Sequence, residues 1–439
     1  MRIAIVGCGY VADHYLETLP DHPRLALQGV ADLNLDRAHA VAKHYGTRVY
    51  PSTQDLLADP EVELVVNLTD PGSHYEVTRA SLLAGKHVYS EKPLSVDLSE
   101  ARELLELAQK QRLLLSGAPC SVLGETAQTL WKAVRDGAVG RVQLVYAEID
   151  DNPVYLMRPE GWTSPTGAPW PYRNEFEIGC TMEHAGYYLT WLAAMFGPAE
   201  SVTAFSACVV PDKTPQPLDP PDTPDFSVAC ILFRSGVVAR LTCSIVAPYD
   251  HRFRIIGDKG MLRTDECWQF EAPVYLERFS QLTLNARKSR SVRSSTFLQS
   301  LFGVGGRRQV LVSRGRPQTA TRLREAASGK RSLIGAVVKM LGRRELVSMD
   351  FFRGVAEMAD AIEGKRRCLL PPEFVLHVAE LTLAIQGARS TGAPYRLTTS
   401  FEPLSPRPAT SAVERTYGQQ TPGVLTRVTE GLIARLHKH

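Results

Sequence analysis

The sequence is short of net charge, of paired cysteines and of long apolar runs. Its 50 Lys and Arg against 47 Asp and Glu leave a formal net charge of only +3. A balance that close to zero gives no bulk electrostatic reason to expect a nucleic-acid partner. None of the eight cysteines forms a CxxC pair, so zinc and iron–sulfur sites lack a ligand framework and no metal is expected. Scattered cysteines of this kind suit a reducing compartment. No apolar run approaches the ~20 residues needed to span a bilayer. The N-terminus opens on Arg2-Ile3-Ala4-Ile5-Val6 without a leader pattern, and the expectation is a cytoplasmic protein. No internal repeat is visible.

What is present is ordinary globular material: 44% hydrophobic and 22% charged residues in a chain of 439. That length suggests two or three domains. Up to about residue 120, short apolar runs alternate with amphipathic ones: IAIV, a helix to Leu19, LALQGVAD, a helix over 34–44, TRVY, STQDLLAD capped by Ser52, LVVNLT, SHYEVTRASLLAGK, HVYSEKP, SEARELLELAQKQ started by Ser99, and LLLSGAPC. This alternation predicts a doubly wound parallel sheet, an α/β Rossmann unit over 1–120. Beyond it come long alternating runs such as AESVTAFSACVV, DFSVACILF and GVVARLTCSIVAP. They predict an α+β unit over 121–400 with a large, mostly antiparallel open sheet. A basic insertion interrupts it at about 280–345, and residues 401–439 are expected to be a mobile tail. The insertion carries Arg287, Lys288, Arg290, Arg293, Arg307, Arg308 and further cations against few acids. It reads as a solvated loop or as a surface for an anionic partner, including peripheral contact with an acidic membrane through GAVVKMLGRR.

GCGYVA, residues 7–12, fits G-x-G-x-x-A between a strand and a helix. Gly7 allows a tight turn, Gly9 lets backbone approach a pyrophosphate, and Ala12 permits close helix–strand packing. Tyr10 and Val11 open the helix whose N-terminal N–H groups face the anion. Asp32 follows at about the spacing at which a carboxylate meets ribose hydroxyls. It would repel a 2′-phosphate, so NAD is expected rather than NADP.

With GCGYVA, Asp32, VVNLTDPGSHYE and HVYSEKPLS in one order, the sequence resembles the Gfo/Idh/MocA oxidoreductases, the family of glucose–fructose oxidoreductase and inositol dehydrogenase. The resemblance covers about residues 1–270 well and 350–400 loosely. It implies hydride transfer between a carbinol carbon and nicotinamide, with sugars, cyclitols or nucleotide-sugars as substrates and a homodimer or homotetramer built on the sheet face. It also implies that Asn67, Leu68, Thr69, Pro71 and His74 pass under the cofactor, that Glu91 and Lys92 lie near the nicotinamide, and that the Lys92–Pro93 peptide is cis. Alcohol oxidation needs a base, and Lys92 qualifies if burial or nearby positive charge lowers its pKa towards neutrality.

The segment EIGCTMEHAGYYLTW, Glu177 to Trp191, reads as the helix facing that chemistry. Glu183 falls where the family usually has an aspartate and Tyr187 where it has a histidine, with His184 beside them. Four apart, Glu183 and Tyr187 share a helix face. These three, with Lys92, are the candidate catalytic and substrate-binding groups. In the preceding loop, Trp162 and Trp170 are candidates to stack on a sugar ring and Arg173 to pair with a phosphate. Two alternatives stay open: a redox-neutral enzyme with permanently bound NAD(H), and a non-catalytic NAD-binding sensor or scaffold.

Overall fold

A computed structural model describes residues 1–309, 311, 349–390 and 393–406. Most of the basic insertion beyond Gln309, including GAVVKMLGRR, and the tail from 407 lie outside the described residues. The first sheet has five parallel strands, β1 (Arg2–Val6), β2 (Ala26–Ala31), β3 (Leu64–Asn67), β4 (His87–Ser90) and β5 (Leu115–Gly117), in the order β2-β1-β3-β4-β5. The near-continuous burial of β1, β3 and β5 is what a sheet covered on both faces requires. From β1 the chain moves to β2 on one side and returns as β3 on the other. The crevice beyond the ends of β1 and β3 is therefore a topological switch point, where such sheets bind ligands.

Two expected details differ. TRVY contributes a single bridge, Val49 to Val30, because its neighbours run straight into the next helix. The helix Leu98–Gln111 is capped by Asp97, whose carboxylate accepts from the N–H groups of Ser99 and Glu100, and not by Ser99.

The second sheet has nine strands: β6 (Val142–Asp150), β7 (Ala199–Ala207), β8 (Phe226–Phe233), β9 (Val238–Ser244), β10 (Phe253–Gly257), β11 (Gly260–Thr264), β12 (Tyr275–Arg278), β13 (Arg307–Arg308) and β14 (Tyr395–Arg396). The order is β13-β12-β11-β10-β6-β9-β8-β7-β14, antiparallel except for β6 with β9. The described part of the insertion is partly helical, over Gln281–Lys288, Arg290–Arg293 and Thr296–Leu301, and Arg287 pairs with buried Glu277. Among the described residues no helix is long and apolar enough to cross a membrane.

The inner face of this sheet is covered by the helix Gly186–Phe196, in which all but Tyr187 are buried. Tyr188 stacks on Phe253 of β10 with ring centroids 5.0 Å apart and donates to the carbonyl of His251. Trp191 Nε1 donates to Ser121 Oγ at 3.0 Å. These anchors fix the helix against the core and leave its N-terminal end facing the first sheet. A buried network closes the junction: Arg353 donates to both Glu125 carboxylate oxygens at 2.9 and 2.8 Å and to Asp350 at 3.0 Å, and His22 meets Asp350 at 2.8 Å.

Candidate active site

One cavity of ≈ 770 Å³ runs along the switch point, from the Gly7–Gly9 turn to Lys92 and the helix beneath β10. Its glycine end is built from backbone. Gly7 has φ +101° and its N–H donates to the Ala31 carbonyl at 2.9 Å. A Cβ there would lie 2.4 Å from the Leu68 carbonyl oxygen, so no larger residue fits. A Cβ on Gly9 would meet nothing within 4 Å, because that position opens into the cavity. No side chain caps the helix Tyr10–Thr18, and Ala12 is fully buried behind it. Asp32 accepts from the N–H groups of Cys8 and Asn34, both at 2.7 Å. A carboxylate offers about four acceptor sites, so two remain for ribose hydroxyls. An open glycine cradle, an uncapped helix start and spare acceptors on Asp32 together fit a dinucleotide. Arg37 lines the cavity as well.

The wall beside it follows β3. Leu68, Thr69 and His74 line the cavity. Asn67 is fully buried and does not; its Oδ1 accepts from the Thr69 hydroxyl at 2.7 Å and its Nδ2 donates to the His74 carbonyl at 3.1 Å. It braces the wall from behind. The His74 ring sits between the carbonyls of Pro93 and Thr69, at 2.6 and 3.0 Å. After β4, Glu91 accepts from the Tyr15 hydroxyl at 2.7 Å and from the Lys92 N–H at 2.9 Å, and the Lys92–Pro93 peptide is cis. Glu91 thus holds the backbone of Lys92, whose side chain lines the cavity.

There it meets Glu183, whose Oε2 accepts directly from Lys92 Nζ. Glu183 lies in a π-helical turn, Thr181–Ala185, between the helices Tyr172–Ile178 and Gly186–Phe196, in place of one continuous helix. Such turns disturb the α-helical spacing and recur at functional sites. Tyr187 and His184 also line the cavity, whereas Tyr188 is turned into the core. The Lys92 expectation needs correcting. Burial does work against its charge, but the attraction of Glu183, with Glu175, Tyr187 and Glu91 behind it, outweighs burial and raises the ammonium above its ordinary value. Glu183 is correspondingly lowered, the lysine prevailing over burial. Burial and then Lys92 push His184 down to about 3, so it is neutral at physiological pH, and burial raises the Tyr187 hydroxyl.

Trp162 and Trp170 line the cavity with ring centroids 4.8 Å apart. Trp268, Glu175 and Asp151 join them without having been singled out in the sequence. Arg173 is not among the lining residues. It donates to Glu177 and to the Pro217 carbonyl at 3.2 and 2.9 Å, held there by its own helix turn and the 216–217 loop. Near the cavity, His251, Glu266 and Cys267 bring possible metal-donor atoms within 4.8 Å of one another. Glu266 Oε1 is already engaged by His251 Nδ1 at 3.1 Å and by the N–H groups of Cys267 and Trp268.

A dinucleotide turn and a proton-bearing lysine in one cavity of a two-sheet fold define the class, an NAD(P)-binding oxidoreductase. Residues 1–118 match the family model of the oxidoreductase family with an NAD-binding Rossmann fold, and residues 127–263 match that of the GFO/IDH/MocA C-terminal domain. The chain belongs to the Gfo/Idh/MocA family. It is 27% identical over 272 residues to the trans-1,2-dihydrobenzene-1,2-diol dehydrogenase of Bos taurus, covering 61% of this chain and 75% of that one. It is 24% identical over 269 residues to the myo-inositol 2-dehydrogenase of Thermotoga maritima, covering 60% and 75%. Among solved structures, the WlbA dehydrogenase of Bordetella pertussis in complex with NADH and UDP-GlcNAcA aligns with TM-score 0.62 and 19% identity over 90% of this chain and 97% of that one. A 3-ketoreductase from Actinomadura kijaniata, in complex with TDP-benzene and NADP, aligns with TM-score 0.59 and 17% identity over 88% and 97%.

Proposed function

We propose that the protein transfers hydride between the hydroxyl-bearing carbon of a sugar, cyclitol or nucleotide-sugar and a nicotinamide dinucleotide, with NAD preferred. The observation that carries this reading is the continuity of the cavity: Gly9 and Asp32 open into the same space as the Lys92–Glu183 pair. Nicotinamide, when bound, gives or takes the hydride. Lys92 Nζ handles the proton of the reacting oxygen, and Glu183 holds Nζ in place. Because Lys92 rests as an ammonium, it is set to donate a proton to a carbonyl oxygen, which favours reduction. For oxidation, Nζ must first pass a proton to Glu183 and then accept the substrate's hydroxyl proton. Tyr187 orients that hydroxyl, neutral His184 accepts or donates a hydrogen bond, and Trp162 and Trp170 stack on the apolar face of the ring.

Residues 1–120 act in this reading as the cofactor unit and 121–400 as the substrate and assembly unit. The outer face of the second sheet exposes Leu144, Val238 and Leu232 in adjacent registers, with Phe205 further along. Such a face suits a homodimer or homotetramer, and a monomeric mass in light scattering would remove that part. The function is tested by incubating the protein with NAD⁺ or NADP⁺, and with the reduced cofactors, on a panel of cyclitols, sugars, nucleotide-sugars and their ketones. Mass spectrometry should show a two-hydrogen change on one compound. Lys92→Met should lower kcat by about 10²–10⁴-fold, the usual contribution of a positioned acid or base. Cofactor binding without turnover by either form, across the panel, would favour the sensor reading.

A further inference from the structure

The connection between β7 and β8 is a long loop, 208–225, and its two ends hold a polar cluster outside the cavity lining. Lys213 Nζ pairs with Asp225 Oδ2 at 3.1 Å and donates to Cys208 Sγ at 3.4 Å, and the lysine and aspartate side chains are each only 1% exposed. Asp225 also accepts from the N–H groups of Val209 and Val210, at 2.6 and 3.0 Å, so one carboxylate fixes both the lysine and the backbone beside the sulfur. Lysine is almost never fully buried unless paired, and burial here takes away the freedom of its four-carbon stem. Cys208 is half-buried, whereas six of the other seven cysteines are buried. Reactive thiols sit partly exposed beside a cation, and fully buried ones are inert. The same loop straps the cavity wall. Arg173 donates to the Pro217 carbonyl at 2.9 Å, the Asp219 N–H to Glu177 at 3.3 Å, the Thr223 hydroxyl to the Glu177 carbonyl at 2.9 Å and the Cys180 N–H to the Pro224 carbonyl at 3.3 Å. The helix so held, Tyr172–Ile178, carries Asn174 and Glu175, which line the cavity.

We propose that Cys208 and Lys213 form an oxidisable pair, which hydrogen peroxide closes into a covalent sulfur–nitrogen link, and that the link stiffens the loop holding the Tyr172–Ile178 helix. Two steps make it. Cys208 Sγ attacks one peroxide oxygen, the O–O bond breaks, and the thiol becomes a sulfenic acid with release of water. Lys213 passes one ammonium proton to Asp225, and the freed Nζ lone pair attacks the sulfur. The S–O bond breaks, and the departing hydroxide takes a second proton from nitrogen and leaves as water. Thiol, amine and peroxide thus give a sulfenamide and two waters; the sulfur loses two electrons and the peroxide gains them. The opposite charges of Lys213 and Asp225 become a neutral nitrogen and a neutral acid, so no unpaired charge is left in the interior. An amine fixed beside the sulfur traps the sulfenic acid before a second peroxide carries it to the irreversible sulfinic acid. A small thiol reopens the link by attacking the sulfur and releasing the amine. The pair stands whether or not the chain transfers hydride.

The test needs no substrate. The full chain is treated with hydrogen peroxide, denatured without reductant and digested with trypsin, which cuts after Lys213 only while its amine is free. No Lys or Arg lies between Arg173 and Lys213, nor between Lys213 and Arg234. Untreated protein should therefore give separate peptides 174–213 and 214–234. Treated protein should give one peptide, 174–234, lighter by two hydrogens than the uncut sequence, and dithiothreitol should restore the cut. Unchanged cleavage at Lys213, with Cys208 carrying one or more added oxygens, would overturn the proposal. Thermal melting of Cys208→Ser and Lys213→Arg checks that both fold. Cys208→Ser should lose the fused peptide, and its persistence there would place the link elsewhere and overturn the assignment. Lys213→Arg keeps a cation for Asp225 but offers no amine, so its Cys208 should advance to sulfinic acid at a peroxide dose that leaves wild type reversible. Equal sulfinic acid in the two proteins would show that Lys213 does not trap the sulfur. Hydrogen exchange over Tyr172–Ile178 should slow in the oxidised chain and recover with dithiothreitol; unchanged exchange in the linked protein would remove the stiffening.

Discussion

The two ends of the cavity are made of different material. The dinucleotide end is backbone: a glycine with no room for a Cβ, a second glycine open to space, and a carboxylate held by two main-chain N–H groups. The opposite end is side chain: Lys92, Glu175 and Glu183 arrive from a turn after β4, a short helix and a π-helical turn. A backbone-built site depends on local conformation and tolerates little change. A side-chain-built site depends on charge and can be retuned one group at a time.

Substitutions can break that contrast. The largest effect is expected from Gly7→Ala, which forces a Cβ onto the Leu68 carbonyl at a positive φ. It should cost about 3 kcal/mol of stability by denaturant titration and abolish NAD⁺ binding; an unchanged midpoint would show that the turn yields. Asp32→Ala comes next. It should weaken NAD⁺ by about tenfold or more, the range for hydrogen bonds to a charged group, and weaken NADP⁺ less, as read by calorimetry. Equal losses would remove Asp32 as the discriminator.

His184→Gln is a charge-end test with a definite sign. In the fold His184 sits at about 3 against 6.5 for the free side chain, from burial first and Lys92 second. Between those values the unfolded chain binds more protons, so the His184 contribution to stability is whole above pH 6.5 and fades as pH falls through that window. The variant should lose less stability on acidification than wild type. A steeper acid loss in the variant would contradict a neutral buried ring. The smallest effect belongs to Arg173→Ala, whose side chain serves Glu177 and the 216–217 loop. KM should move by no more than about twofold, as for surface changes away from the site; a large rise in KM for a phosphorylated substrate would restore Arg173 to a phosphate role.

The same contrast explains what could be read in the sequence. The geometry around Gly7, Gly9, Ala12 and Asp32 was legible because it is set within a few residues of the turn or at one fixed spacing. The parallel and antiparallel sheets were legible from the period of their apolar residues. Lys92 and Glu183, which meet in the cavity, were singled out from local marks, EKP and an acidic place in an apolar segment. Glu175, which also lines the cavity, was not, because it sits on a separate short helix before a turn whose π geometry no spacing announces. The state of Lys92 was misjudged for a related reason: burial is visible in a sequence, but the carboxylate that outweighs it is a tertiary neighbour. Arg173 looked like a phosphate ligand only because the 216–217 carbonyls that occupy it are forty residues away in the chain.

The π-helical turn has a consequence for anyone comparing this chain with its relatives. Each residue of an α-helix advances about 100° around the axis, and a π-helical turn lengthens that circuit. Counting forward from Gly179 therefore does not tell which side chain faces the cavity, while counting backward from the anchored Tyr188 and Trp191 follows a regular helix only as far as Gly186. A chain with one residue fewer here could keep every core anchor and still swing a different side chain onto Lys92. One insertion or deletion is thus a rotary adjustment, re-aiming the cavity face of this segment against a core face that does not move.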